Sequence, residues 1–237
     1  MITEETEIRP SSMSMDARPR VFLQPIAAPS ILGLYGLGGA LFMLASPMVH
    51  WWFWGPQTTL LLMPFAAVFG GLAQFLAGMW AYKARDGVAT AVHGMWGAFF
   101  WAFGILTFLL YSGRAAMPVG TFFPELGYWF IVLAAVTWVC ACAAAAENKA
   151  MVTTLIFLAA GATISAIACL TGRAELNIPA GYLFILCAIA SWYTASGLML
   201  NEAFGREVWP LGKTATARRM PPVPLGSGEP GVIRGQA

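Results

Sequence analysis

Charge is what this sequence has least of. Only 10% of its 237 residues are Asp, Glu, Lys or Arg, and 59% are hydrophobic; soluble domains carry about 25% charged residues. A soluble fold of this length could not hide so much apolar surface. Between Ser30 and Leu200 charge is confined to Lys83, Arg85, Asp86, Arg114, Glu125, Glu147, Lys149, Arg173 and Glu175. No lysine lies in the middle of an apolar stretch, which argues against a retinal Schiff base, and no mid-segment acidic pair offers a sodium or metal cage. His50 and His93 fall near opposite boundaries of the apolar segments, so they cannot ligate haem as a pair. Cys140, Cys142, Cys169 and Cys187 sit inside apolar segments without metal or redox spacing, where cysteine behaves as a small hydrophobe. The segment Met1–Arg20 contains Glu4, Glu5, Glu7 and Asp16 and lacks the apolar core of a signal peptide. No catalytic dyad appears. The expectation is therefore no enzyme, no cofactor, no metal and no nucleic-acid partner.

What remains is apolar, in six runs: Ser30–Val49, Thr59–Tyr82, Gly87–Tyr111, Leu126–Ala146, Ala150–Thr171 and Pro179–Leu200. Each approaches or exceeds the length of about 20 residues that a spanning helix needs. Backbone groups in lipid must be satisfied within the segment, and the alternating pattern of a β-barrel is not seen, so the runs predict helices. The fold expected is an all-α integral membrane protein with six transmembrane helices over residues 25–213. Disordered cytoplasmic tails are expected at 1–24 and 214–237, where Pro, Gly, Ser and charge replace core-forming residues. The tryptophans between His50 and Thr58 suit a membrane–water interface.

Orientation follows from the basic residues. Arg9, Arg18, Arg20, Lys83, Arg85, Lys149, Arg206, Lys213, Arg218, Arg219 and Arg234 fall on the side of the termini, which is eleven; Arg114 and Arg173 fall opposite, which is two. Positive charge accumulates in the cytoplasm, which predicts both termini inside and the inner (plasma) membrane as location.

A route for a polar solute should appear as polar groups inside the spans. The candidates are Ser30, Tyr35 and Ser46 in helix one, Gln74 in helix two, Thr90, His93 and Thr107 in helix three, Thr163 and Ser165 in helix five, and Ser191, Tyr193, Thr194 and Ser196 in helix six. His93, six residues past Gly87, lies about 9 Å into its helix and is either a proton relay or a neutral inter-helix hydrogen-bonding group. Gln74 carries the same ambiguity. Glycines at 33, 36, 38, 39, 70, 71 and 78 either let helices pack closely or also line a pathway. A weakly polar, uncharged route suits small anions that must pass without being trapped.

One pattern is more specific. Tyr193 followed by Asn201-Glu202-Ala203-Phe204-Gly205-Arg206 and Trp209-Pro210-Leu211-Gly212 resembles the C-terminal signature of the acetate uptake transporter family, which includes bacterial succinate–acetate permeases. Ala28-Pro29-Ser30-Ile31-Leu32-Gly33-Leu34 is similar to that family's motif at the start of helix one. Gly71, Gln74, Gly78 and the charged turn Lys83–Asp86 are similar to its helix-two segment. The resemblance runs from about Pro25 to Lys213. It implies a six-helix protomer, commonly a homohexamer, each protomer conducting acetate or a related small monocarboxylate, proton-coupled or channel-like. By position it implies Pro29, Leu32 and Gly33 in the first motif and Tyr193, Asn201, Glu202 and Gly205 in the last. Together with the polar inventory, the expected substrate pathway is Pro29, Leu32, Gly33, Tyr35, Gln74, His93 and Tyr193, among helices one, two, three, five and six. Glu202 and Arg206, four apart, are either an exposed helix-end ion pair or a tether that fixes the inner mouth or a subunit contact. The chain departs from the family at Ala28, Ile31, Ala81, Trp96 and His93. These departures leave open acetate, a bulkier monocarboxylate, or a scaffold or sensor that keeps the fold without transport.

Overall fold

In the computed structural model, residues 27–51 and 58–215 are described. The expected disordered tails, apart from Thr214 and Ala215, and the tryptophans at 52 and 54 lie outside the described residues. Six helices among the described residues are long and apolar enough to cross a membrane. Helix one is Ser30–Met48, helix three Gly87–Tyr111, helix four Pro124–Ala144, helix five Lys149–Thr171 and helix six Asn177–Phe204. Helix two is composite: α-helix over Thr58–Phe65, π-helix over Ala66–Ala73, and α-helix again over Gln74–Ala84. The sequence predicts the six spans, with boundaries off by a few residues, but not the π segment of helix two.

The boundaries follow local chemistry. Asp86 Oδ1 accepts from Ala89 N at 2.8 Å and Asn148 Oδ1 from Met151 N at 2.8 Å, starting helices three and five. Pro124, with no N–H to lose, opens helix four ahead of the position expected from hydropathy. Gly172 and Gly205, at φ 70° and 60°, take the left-handed turn that ends helices five and six. Arg85 adopts that conformation at φ 57°, so helix two reverses into helix three within two residues. Pro64 lies just before the π segment. A proline inside a helix cannot donate to the carbonyl four residues earlier, and the wider register follows directly after it.

The helices pack as a ring in chain order. Helix one lies against two and six, helix five between four and six, and helix two against three; three and four touch least. Between those two runs an apolar groove of about 470 Å³, bordered by Met95, Ala102, Leu106 and Trp129. Close approach elsewhere depends on glycine. A Cβ on Gly78 would lie 2.7 Å from Gly94 N, and one on Gly97 2.6 Å from Phe75 N. One on Gly36 would run into the Phe69 carbonyl oxygen, which belongs to the π segment. Small residues make up for the missing hydrophobic drive between helices in lipid.

After Gly205 the chain turns back under the bundle as a strap over residues 206–214. Lys149 N donates to Gly212 O at 3.0 Å, Ala150 N to Leu211 O at 3.1 Å, and Thr214 N to Glu147 O at 3.1 Å. Leu211 is buried against Gly197.

Candidate functional site

At the end of the ring opposite the strap, a vestibule of about 560 Å³ opens between the helix-one terminus and the loops after helices three and five. Its mouth carries His50, Gly120, Thr121, Ala174 and Asn177. Asn177 Nδ2 donates to Thr121 Oγ1 at 3.4 Å, linking the start of helix six to the loop after helix three across the rim. Arg173 Nε donates to Glu175 Oε1 at 2.7 Å on the same side; that bond holds the Glu175 carboxyl below its usual range.

The vestibule walls are aromatic. Phe99 and Phe103 stack at 5.7 Å and 8°, Phe99 lies 5.4 Å from Phe130, and Trp96 lies 6.3 Å from Phe184. Trp96, Phe100 and Phe184 form the floor, each nearly inaccessible. Residues 96, 99, 100 and 103 fall on one face of helix three by the i, i+3, i+4, i+7 rule. Trp96 Nε1 donates to Thr137 Oγ1 at 3.0 Å, and Thr137 donates on to Leu133 O at 2.6 Å, so the floor is fixed to helix four.

One helical turn below the floor, about 5 Å on, the chemistry changes. His93 precedes Trp96 by three residues, and Gln74 follows Gly70, which packs on Phe100, by four. His93 is 1% exposed and Gln74 0%. His93 Nδ1, both polar atoms of Gln74 and Ser30 Oγ are buried without a protein hydrogen-bond partner. Leaving such groups unpaired costs about 1–3 kcal/mol each. The glycine face of helix one borders two of them: a Cβ on Gly33 would lie 2.5 Å from the His93 ring and one on Gly36 3.7 Å from Gln74 N, while Ser30 stands one turn before Gly33 on the same helix. Helices one, two and three thus enclose a polar junction beneath an aromatic floor.

The expected pathway residues divide. Gly33 packs on the His93 ring, and Gln74 lies beside Gly36, one turn along helix one. Pro29 is half-buried immediately before helix one. Leu32 is 49% exposed on the outside of the bundle. Tyr35 Oη shares a hydrogen bond with Ser196 Oγ at 2.9 Å and borders a shallow outer groove with Phe65 and Phe69. Tyr193 Oη donates to Pro210 O at 2.6 Å, and its ring lies 5.3 Å from Trp209. The junction therefore does not include Leu32, Tyr35 or Tyr193.

The helix-six signature builds the strap. Asn201 Oδ1 accepts from Val208 N at 2.8 Å and Trp209 N at 2.9 Å, while Nδ2 donates to Trp209 O at 2.8 Å. Gly205 supplies the left-handed turn, and Glu202 is exposed. Because helix six ends at Phe204, Arg206 lies beyond it, and the expected i, i+4 pair with Glu202 lacks a helix to hold it. Sequence reasoning missed the aromatic vestibule, although the 96-99-100-103 stripe was a readable signal, and missed the Trp96–Thr137 bond, for which no signal exists.

Residues 13–210 match the GPR1/FUN34/yaaH family. The chain belongs to that family. Among curated members, the succinate-acetate/proton symporter SatP of Escherichia coli (strain K12) is 24% identical over 192 residues, covering 80% of this chain and 97% of that protein. An uncharacterized protein of Methanothermobacter thermautotrophicus is 26% identical over 190 residues, covering 78% and 90%. The solved structure of the bacterial acetate channel SatP superposes with a TM-score of 0.72 at 23% identity, over 79% of this chain and 100% of that one. The six-helix architecture is therefore the family's fold.

Proposed function

We propose that this chain is an inner-membrane permease or channel for acetate or a related small monocarboxylate, with both termini in the cytoplasm. The observation that carries the reading is the polar junction: fully buried Gln74 and His93, unpartnered by protein, one turn below an open vestibule. Inside a bilayer such groups are costly and are the ordinary mark of a solute route. The names of the SatP relatives, a succinate-acetate/proton symporter and an acetate channel, agree with it.

On this reading the anion enters the vestibule, drawn by the N-terminal ends of helices four and six, whose backbone N–H groups point toward the mouth. It passes the Trp96–Phe100–Phe184 floor and meets donors from Gln74, Ser30 and the imidazole. None of these is a fixed cation, so the carboxylate is attracted without being held. His93 is the one side chain at the junction with an ionisable group, which makes it the candidate coupling residue. The eleven-to-two distribution of basic residues sets the strap and the Lys83–Asp86 turn on the cytoplasmic side. A homo-oligomer, hexameric by resemblance, is the expected assembly.

The test is uptake of labelled acetate into liposomes containing the purified chain, with and without an inward proton gradient. Uptake stimulated by the gradient supports a proton-linked permease; gradient-independent uptake supports a channel. No uptake by folded protein would overturn the assignment in favour of a non-transporting scaffold or sensor.

A further inference from the structure

The vestibule is far larger than its expected cargo. An apolar cavity of about 150 Å³ is enough for benzene, and small-molecule pockets span about 300–1,000 Å³; this one measures about 560 Å³. Its polarity is also one-sided. His50, Thr121 and Asn177 stand at the mouth beside the N-terminus of helix six, whereas the depth is walled by Leu44, Phe99, Phe130 and Phe184. No lysine, arginine or histidine lines the deep end.

Resting on the reading of this chain as a carboxylate permease, we infer that the vestibule is a binding site for monocarboxylates with an apolar body of about four to eight carbons. The carboxylate sits at the mouth and the tail lies along the aromatic wall. Polar mouth and apolar depth together match a ligand with one charged end. Acetate, with a single methyl group, would leave most of the wall in contact with water. A dicarboxylate would carry its second charge in among the rings with no partner, at heavy desolvation cost. The vestibule therefore selects for chain length and against a second carboxylate before the solute reaches Gln74 and His93.

Titration calorimetry on the full detergent-solubilised chain, with sodium acetate, butyrate, hexanoate and succinate, tests this. Affinity is expected to rise by up to about fourfold per methylene from acetate to hexanoate, and succinate is expected to bind no better than acetate. Hexan-1-ol controls for partition into detergent and is expected to bind more weakly than hexanoate. In Leu44→Trp, which fills the wall, and in Phe103→Ala, which removes the Phe99 stacking partner, the hexanoate-to-acetate ratio is expected to fall at least fivefold. An affinity that is flat from acetate to hexanoate, succinate binding as tightly as butyrate, or hexan-1-ol matching hexanoate would each overturn the inference. Its failure separates from that of the permease reading: acetate flux in liposomes with a flat affinity series sinks only the vestibule, whereas a steep series without acetate flux sinks only the permease.

Discussion

The two halves of the ring differ in how many of their buried polar side chains find a partner. In helices four to six, Thr137, Thr154 and Thr194 each donate to the carbonyl four residues earlier, and Thr154 and Thr194 also approach each other at 3.3 Å across helices five and six. Ser191 lies 3.9 Å from the Cys187 sulfur on its own helix; Ser165 is the one buried hydroxyl on that side without a partner. In helices one to three, buried Thr107 likewise donates to the Phe103 carbonyl, but Ser30, Gln74 and His93 are buried and unpartnered. A threonine hydroxyl can be satisfied inside its own helix. A glutamine amide or an imidazole reaches beyond the backbone and needs something from outside. On the proposed reading the locked half is a wall and the unlocked half the place where a solute is met.

The contrast depends on helix one lying against the π segment. A valine at position 36 would set its side chain against the Phe69 carbonyl oxygen, a backbone atom with no rotamer to yield. Gly36→Val is expected to cost about 3 kcal/mol or more and to give little monodisperse protein by size-exclusion chromatography in detergent. A valine at 36 that leaves the melting temperature unchanged would mean the helix-one contact is not what fixes the junction.

The next pair of variants asks whether the halves differ as described. Thr137→Val keeps the shape of the wall but leaves the Trp96 indole N–H without its acceptor, so stability is expected to fall by about 1–3 kcal/mol. Gln74→Leu removes an amide that has no protein partner. Its stability is expected to hold or rise by about 1 kcal/mol, while acetate flux drops at least tenfold. Thermal unfolding and liposome uptake on both proteins decide the matter. If Gln74→Leu unfolds as readily as Thr137→Val, the amide is structural and the two halves are alike.

Six helices were legible in the residues because membrane spans announce themselves by length, hydropathy and the charge between them. The site was half legible. Gln74 and His93 stood out as rare polar groups inside spans, but their placement beside Gly36 and Gly33 of helix one depends on how three helices pack, which periodicity does not encode. Tyr193 and Asn201 were recognised by their motif, and Tyr193 was drawn toward the pathway. Their partners are backbone atoms of residues 208–210, a stretch whose motif is readable but whose fold back onto helix six is not. The π segment had a cue in Pro64 followed by Gly70 and Gly71, yet proline in a spanning helix is compatible with a kink as well as with a wider register.

The strap is the part of the locked half that the sequence hid most, and Asn201→Ala tests it. Losing an acceptor for two N–H groups and a donor to Trp209 O is expected to cost about 1–2 kcal/mol. The effect should read out as faster tryptic cleavage at Arg206 and Lys213, with acetate binding retained. Unchanged cleavage would show that the backbone bonds to Lys149 and Ala150 hold the strap unaided.

The smallest expected effect falls where the strap meets the turn between helices four and five. The carbonyl of Glu147 accepts from both Thr214 N and Thr214 Oγ1, and its side chain is partly enclosed. Burial, with the neighbouring negative charge of Asp86 adding to it, pushes the Glu147 carboxyl from an ordinary value of 4.5 up to about 7. The folded chain therefore holds a proton that the unfolded chain has already released between those values, and stability must fall as pH rises from about 4.5 to 7. Solvent screening limits the change to about 1 kcal/mol, which for a chain of this size is about 2–4 °C in melting temperature. Glu147→Gln, which mimics the protonated form, should flatten the fall across that window and melt higher than the parent at pH 8. Equal pH profiles for the two proteins would mean that Glu147 ionises as an ordinary surface carboxyl and that the strap encloses less than its hydrogen bonds suggest.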